Sequence, residues 1–297
     1  MAINEHLFRF ILYGRRTFGL SLAQTLTLGR QHCLIPSKRL LAIARRCEEL
    51  RTVDPDLLRN LHGNFAEHLF ALLGAKRIDS IDANSFEDAS IVHDLNHPIP
   101  DGMARRYTCV IDGGTLEHVF SVSTAIFNAM RAVGVGGHFV SISVANNFFG
   151  HGFFQLSPEF FFRVLAPSNG FEVQSLVVCE ASDRRRWYEV RDPATLGRRV
   201  TLINSRETFL MVLARKLADV DQLAIPQQSD YQVCWALRRT DARSASGSWG
   251  RFEALRPIWR KLSQRQQELV RRYLFGLRGL DRAFLARDAY ALSGTDV

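Results

Sequence analysis

The pattern of apolar and polar positions is clearest over residues 107–152, where it predicts a strand, a helix and a second strand. Residues 107–111 form a short β-rich apolar run that ends at Asp112 and two glycines. Residues 119–133 carry apolar side chains at helical spacing, and residues 138–144 form a second buried run. A strand–helix–strand unit favours a parallel sheet with helices packed on it.

Other segments extend this unit into a larger α/β fold. Ser37 is predicted to begin a helix that runs to about residue 50, and Asp54 followed by Pro55 caps the next helix. Asn64 opens a third predicted helix. Short segments with a strand-like pattern predict five more strands, at 23–28, 76–81, 89–92, 171–179 and 207–216, and the first of these alternates apolar and polar residues. Residues 8–18 mix apolar and basic side chains, and we assign them no element.

The last third of the chain differs from the rest in its residue pattern and its charge. The net charge is +8, and residues 182–297 carry 22 Lys and Arg against 13 Asp and Glu, whereas residues 1–181 carry 16 against 17. We predict an α/β domain over 1–217, a linker-like segment over 218–250 and a basic amphipathic helical extension over 251–297. Any anionic partner is therefore expected on the C-terminal part.

Composition limits the cellular setting. No apolar run approaches the roughly 18 residues of a membrane helix, and the first residues lack the pattern of a secretion signal. The five cysteines are dispersed and form no CxxC pair, which is typical of buried thiols in a reducing compartment. We expect a cytoplasmic protein with no transmembrane segment. No His, Cys, Asp or Glu spacing demands a metal, so none is predicted.

Two acidic residues follow successive predicted strands. Asp82 ends the run 76–81, and Asp94 follows the run 89–92. An acid at a strand end can accept hydrogen bonds from a ribose diol in nucleotide-binding α/β folds, and the second acid or its neighbouring amide could meet an adenine amine. Residues 82–85 are equally typical of a turn, so both interpretations stay open.

A polar cluster follows the central strand. Glycines at Gly113 and Gly114 let a ligand or another backbone approach closely, although a tight turn needs them as well. Glu117 and His118 place an acid and a possible base beside the same crevice. A single histidine is also often only structural.

The segment after the second strand combines amides, a histidine and aromatic residues. Asn146, Asn147 and His151 lie among Phe148, Phe149 and several glycines, in a stretch without a regular pattern. An aromatic-lined pocket with a few polar groups is one interpretation. A loop folded back onto the core is the other.

Taken together, these motifs resemble class I S-adenosylmethionine (SAM) dependent methyltransferases. The resemblance rests on YTCVIDGGTLEHVF with GVGGHFVSIS, extends through RIDSID and SIVHDL, and covers roughly residues 20–217. LTLGRQ, DGGTLEHVF and ANNFFGHGFFQLSPEFF are similar to a bacterial group of methyltransferase-like proteins. The resemblance implies a Rossmann-like seven-stranded sheet. It also implies Asp82 on the SAM ribose, Asp94 beside the adenine, and a methionine site made by Asp112, Gly113, Gly114 and Thr115.

The first glycine loop departs from the family pattern. The family's first strand normally ends in an acidic residue and a GxGxG loop, whereas this chain has Leu28, Gly29, Arg30 and Gln31 there. Arg30 could pair with the SAM carboxylate through a charge-assisted hydrogen bond. The same loop could instead mark a fold that has lost SAM.

These observations lead to a primary expectation and alternatives. The first is a SAM-dependent methyltransferase that acts on a small-molecule or glycan-like polar acceptor, with His151 or His118 as general base and Asn146 and Asn147 orienting the acceptor. The alternative is a non-catalytic scaffold whose basic C-terminal helices bind a partner or an anionic surface. Nucleic-acid methylation, with the basic segment tracking phosphates, is a weaker third interpretation.

Overall fold

The computed structural model describes residues 2–196, 200, 204–240, 261–263, 266 and 284–288. The strands in this part of the chain are β1 Ala2–Ile3, β2 Gln24–Leu28, β3 His32–Cys33, β4 Arg77–Asp82, β5 Ile91–Val92, β6 Tyr107–Gly113, β7 Val133–Val144, β8 Phe171–Glu180, β9 Arg186–Val190, β10 Thr208–Lys216 and β11 Phe284–Asp288. The α-helices are α1 Glu5–Phe18, α2 Ser37–Ala44, α3 Pro55–Arg59, α4 Glu67–Leu72, α5 Val122–Ala132, α6 Pro158–Val164, α7 Pro193–Leu196 and α8 Ser229–Thr240.

One mixed sheet organises the molecule. Its strand order is β11-β9-β8-β10-β7-β6-β2-β4-β5. The five strands from β7 to β5 are parallel neighbours, whereas β10 runs antiparallel to both β7 and β8. The predicted α/β class and Rossmann-like arrangement are confirmed. The seven strands from β8 to β5 match the predicted number, and β9 and β11 lengthen the sheet at one edge.

Helices cover both faces of this sheet. Cys109 and Ile111 of β6 belong to a buried cluster with residues of α1, α2 and α4, whereas Val110 belongs to a second cluster with residues of α5 and α6. Alternate side chains of a strand point to opposite faces. The sheet therefore separates two hydrophobic cores.

Most predicted elements form, with shifted ends. The helix that begins at Ser37 stops at Ala44 instead of about residue 50. Strand β7 begins at Val133, five residues earlier than predicted, because Gly134 and Gly137 lie within the strand. A Cβ at Gly137 would lie 2.9 Å from the carbonyl oxygen of Thr108. These glycines thus follow the end of the helix at Ala132 and allow close backbone packing.

The unassigned residues 8–18 belong to helix α1. Asn4 caps its first turn by accepting a hydrogen bond from the Leu7 amide, and Gly19 ends it in the left-handed conformation. Arg9 obscured the apolar pattern, yet this residue is buried and its Nη1 donates to the carbonyl of Arg184 at 2.7 Å. Trp187, which follows the basic run 184–186, lies in the core and not on the surface. It is fully buried in β9, because β9 packs under α1.

The C-terminal prediction is tested only in part. Strand β10 ends at Lys216, and helix α8 lies within the segment predicted as linker-like. Both oxygens of Glu159 accept hydrogen bonds from Ser229 and so fix the start of α8, at 2.7 and 2.9 Å. The predicted helical extension is wrong at Phe284–Asp288, which pairs with the open edge of β9 as a strand. The remainder of 251–297, apart from 261–263 and 266, lies outside the described residues.

Among the residues that the structure describes, no helix combines the length and apolar character needed to cross a bilayer.

Candidate active site

The carboxyl ends of three parallel strands meet at one edge of the sheet. Leu28 of β2 pairs with the residue before Asp82 in β4 and with the residue before Gly113 in β6. Gly29, Asp82 and Gly113 therefore lie at one level, on neighbouring strands that are about 4.8 Å apart. Ligands of open α/β sheets bind at this edge. The sequence-predicted residues of the three strand ends are thus brought together.

Gly29 and Gln31 shape the turn after β2. Gly29 has a φ of +68°, and its amide donates to the carbonyl of Ile81 at 2.7 Å. The buried Gln31 side chain donates to the Leu28 carbonyl at 2.6 Å. A Cβ at Gly113 would lie only 2.1 Å from Gln31 Oε1. The close approach predicted at Gly113 is therefore made by Gln31, which the sequence analysis did not single out although it lies in the LTLGRQ motif.

Arg30 is held by neighbouring protein groups. Its Nε donates to Glu67 at 2.7 Å, its Nη1 donates to the carbonyl of Glu87 at 2.8 Å, and its guanidinium carbon lies 3.8 Å from the ring centroid of Phe65. Two of its three nitrogens are thus occupied. An anionic ligand at Arg30 would have to share the guanidinium with these partners.

The two strand-end acids are placed differently. Asp82 is half-buried and one of its oxygens accepts from the Ala83 amide at 2.7 Å. Asp94 caps a turn by accepting from the backbone and side-chain nitrogens of Asn96, and these hydrogen bonds lower the pKa of Asp94. Both side chains border the edge of the sheet, and each accepts hydrogen bonds from residues that directly follow it in the chain.

Asp112 organises the turn after β6. Its carboxylate is fully buried, accepts from the Thr115 amide at 2.8 Å and accepts from the Ser141 hydroxyl at 2.7 Å. The Thr115 hydroxyl donates to the Leu28 carbonyl and ties this turn to β2. Burial raises the pKa of Asp112 to about 6. Because protein donors occupy both of its oxygens, Asp112 shapes the turn that carries Gly113 and Gly114.

The loop after β7 is clamped onto the turn after β6. The amide of Phe153 donates to the carbonyl of Glu117 at 2.7 Å. Gly152 has a φ of +72°, and a Cβ there would lie 2.7 Å from the same carbonyl oxygen. This close contact brings the His151 ring to a centroid distance of 5.0 Å from the His118 ring. The two candidate bases therefore lie together, beside the buried Glu117.

The electrostatics of this group are unusual. Burial first, and then the nearby carboxylate of Asp112, raises the pKa of Glu117 to about 8. Burial and the neighbouring His151 lower the pKa of His118. Perturbed titrating groups that gather at a strand end are typical of functional sites.

The amides and aromatic residues of the loop are mostly engaged in packing. Asn147 has a φ of +64°, and its amide nitrogen donates to Asn204 and to the carbonyl of Arg206. The Phe148 ring stacks on Phe209 at 5.2 Å. These contacts favour the interpretation of a loop folded back onto the core. Two other aromatic residues, Phe120 and Phe153, remain 71% and 65% exposed as an edge-to-face pair next to His118.

A groove lies at the opposite edge of the sheet. It measures about 920 Å³ and is lined by polar residues that include Asp101, Arg105, Arg131 and Lys216. These residues flank the beginnings of β6 and β7. None of the predicted site residues borders it.

The sequence matches no known family model, and a search of curated proteins also finds no match. Solved structures do resemble it in fold. The branched-chain polyamine synthase from Thermus thermophilus, solved with N4-aminopropylspermidine and 5′-methylthioadenosine, is 14% identical over 76% of this chain and 61% of its own, with a TM-score of 0.39. The N-methyltransferase NodS from Bradyrhizobium japonicum, solved with S-adenosyl-L-homocysteine, is 14% identical over 71% of this chain and 84% of its own, with a TM-score of 0.37. TehB from Haemophilus influenzae is 15% identical over 69% and 61%, with a TM-score of 0.36. The chain thus spans about three fifths of the polyamine synthase and of TehB, and these similarities concern the fold.

Proposed function

We propose that this chain is a SAM-dependent methyltransferase that acts on a small or glycan-like polar acceptor. The observation that carries the proposal is the alignment of Gly29, Asp82 and Gly113 at the carboxyl edge of the parallel strands, with His118 and His151 beside them. Cofactor-sized ligands of such sheets bind at this edge.

The residues of this edge fit the nucleoside part of SAM. Asp82 is half-buried at a strand end, where its carboxylate can accept from a ribose diol, and Asp94 lies one strand further along, where the adenine would be. The turn of Gly29, Gly113, Gly114 and Thr115 would face the methionine part. Arg30 would meet the carboxylate of SAM while it retains Glu67.

The chain's own groups would orient the acceptor and remove its proton. Bound SAM supplies an activated methyl group, so alignment and exclusion of water are the main tasks of the protein. Burial and the neighbouring His151 lower the pKa of His118, which favours the neutral imidazole that a general base needs, and His151 is its alternative. Asn146 and Asn147 would position the loop that carries His151, through their bonds to Asn204.

A kinetic comparison tests this assignment. We expect methyl-labelled SAM to label a polar small molecule in the presence of the chain. His151→Ala should lower kcat at least tenfold with little change in SAM affinity, whereas His68→Ala, an exposed histidine on α4, should behave as wild type. Unchanged turnover in both His151→Ala and His118→Ala would remove the histidines from the mechanism.

A second function has an observation of its own. Gln31 fills the space above Gly113, and two nitrogens of Arg30 already have protein partners. A scaffold without SAM, whose basic C-terminal part binds an anionic partner, would need no further room at this edge. Absence of SAM binding by the folded chain would favour the scaffold.

A further inference from the structure

Three potential metal ligands converge next to the proposed cofactor edge. One carboxylate oxygen of Glu117 and one ring nitrogen each of His118 and His151 all lie within 4.8 Å of one another. Ligands of a tetrahedral ion with bonds of 2.0–2.2 Å are about 3.4 Å apart. Both histidines have exposed side chains. Small rotations of their rings would therefore bring the ligand atoms from the present separation to the separation that a bound ion requires.

The carboxylate in this group is buried and incompletely hydrogen-bonded. Glu117 is 1% exposed, and its Oε2 has no hydrogen-bond partner among the residues that the structure describes. In the same part of the chain, no Lys or Arg forms an ion pair with Glu117 or with the neighbouring Asp112. A buried carboxylate oxygen without a partner is costly unless the group is protonated or binds a cation. Its unpartnered oxygen is therefore the second observation that indicates a ligand.

The cluster also depends on a specific tertiary contact. Glu117 and His118 follow β6, whereas His151 comes from the loop after β7. The hydrogen bond from the Phe153 amide to the Glu117 carbonyl and the close contact of Gly152 hold the two segments together. The three side chains are thus preorganised by backbone that is not itself part of the group.

We propose that Glu117, His118 and His151 bind a first-row divalent metal ion. Two imidazoles and one carboxylate suit zinc, iron, cobalt or manganese, whereas magnesium and calcium prefer oxygen ligands only. Three protein ligands leave at least one coordination position open, which is typical of catalytic rather than structural sites. The exposure of both histidines leaves that position accessible to a small molecule.

The chemical consequence rests on the proposed function. A bound ion would hold an acceptor hydroxyl and lower its pKa, so that the hydroxyl proton passes to water. The oxygen then forms its bond to the methyl carbon as the carbon–sulfur bond breaks, and the electron pair of that bond stays on sulfur. With the ion bound, the histidines would act as ligands in place of the general-base role given to them above, because the metal occupies their lone pairs. The acceptor class would accordingly be a hydroxyl compound.

Metal binding can be measured without any acceptor. The full chain, treated with chelator and dialysed, is titrated with zinc chloride and manganese chloride, and its cobalt(II) complex is examined by visible absorption. We expect one ion per chain in the wild type. We also expect at least tenfold weaker binding in Glu117→Gln and His151→Ala, together with loss of the cobalt absorption bands. His68→Ala removes a histidine elsewhere and should bind as wild type.

The outcomes separate this inference from the proposed function. Stoichiometric metal binding without SAM binding supports the metal site and contradicts the cofactor assignment. SAM binding without metal binding overturns the metal site alone. The metal site would also be overturned if Glu117→Gln, shown by circular dichroism to be folded, bound the metal as tightly as the wild type. Binding that survives in both variants but disappears in Cys234→Ser would overturn it as well, since the exposed thiol of Cys234 would then be the ligand.

Discussion

At the scale of single residues, the Gly113–Gln31 contact shows how one side chain determines the shape of the cofactor edge. Gln31 is buried and hydrogen-bonded to the strand end, and it occupies the position where a Cβ of residue 113 would lie. The need for glycine here comes from the protein's own packing.

The first prediction concerns this contact. Gly113→Ala should lower the free energy of unfolding by about 1–3 kcal/mol, because the added methyl group collides with Gln31. Gly102→Ala is the matched control, since no atom lies within 4 Å of its Cβ position. Urea denaturation measures both. The second change Gln31→Ala should restore part of the loss, and equal stability of the two glycine variants would contradict the packing account.

A second residue-scale prediction concerns acid stability. Burial lowers the pKa of His6, whose Nε2 donates to the Ala181 carbonyl at 3.2 Å and whose Nδ1 lies 3.5 Å from the Cys179 thiol. Glu5, Arg9 and Arg184 are the charged groups that face it. The pKa of His6 in the folded protein lies below the unfolded value of about 6.5. The contribution of neutral, buried His6 to the free energy of unfolding is therefore fully present above pH 6.5 and is lost as the pH falls below it.

Urea denaturation at pH 7.5 and pH 5.5 checks this sign. The wild type should lose more stability on acidification than His6→Gln, whose side chain does not titrate. His68→Gln, on the exposed surface of α4, should keep the wild-type slope. An unchanged slope in His6→Gln would show that His6 does not control this pH range.

At the scale of elements, the loop after β7 is held by one tight point. Gly152 and Gly150 both have a positive φ, of +72° and +95°, but only Gly152 lies against the Glu117 carbonyl. Phe149 and Phe153 expose their side chains nearby. Chymotrypsin can cleave after these aromatic residues. We expect its access to them to depend on the contact between Gly152 and the Glu117 carbonyl.

The prediction at this scale compares the two glycines. Gly152→Ala should release the loop and speed chymotrypsin cleavage within it several-fold more than Gly150→Ala, because both changes strain the backbone but only the first creates a collision. Cleavage rates under native conditions, with fragments identified by mass spectrometry, measure the difference. Equal cleavage rates would mean that the Glu117 contact does not hold the loop.

The elements that the sequence predicted well are those with uniform patterns. Strand β6 is a short apolar run, β2 alternates apolar and polar residues, and β4 is a short strand-like segment that ends in Asp82. Their carboxyl ends and the placement of Asp82 and Gly113 therefore followed from the pattern. Helix α1 was missed because buried Arg9 interrupts its apolar face, and its partner, the Arg184 carbonyl, is 175 residues away. Strand β9 was missed because a short run beside three arginines has no distinctive pattern.

The candidate site was predictable in its parts and not in its contacts. Each strand-end residue could be assigned from local sequence. The convergence of Glu117, His118 and His151 could not be assigned, since it depends on how the loop after β7 folds back onto the turn after β6. No local periodicity encodes that approach, although the glycines around His151 indicated unusual backbone.

At the scale of the whole molecule, several of the C-terminal basic residues serve the fold. Arg184 pairs with Glu5, Arg206 with Glu180, and Lys216 with Asp219. The positive charge of the described part is thus largely balanced locally. The surface proposed for an anionic partner would have to come mainly from residues beyond 240, most of which lie outside the described ranges.

The central claim is that the carboxyl edge of the sheet binds SAM, and calorimetric titration of the full chain with SAM and with its demethylated product tests it most directly. We expect dissociation constants on the order of micromolar for both ligands, and loss of measurable binding in Asp82→Ala. Asp101→Ala, an exposed acid at the opposite edge, should bind as wild type. No binding to either ligand by a folded sample, or unchanged affinity in Asp82→Ala, would contradict the account.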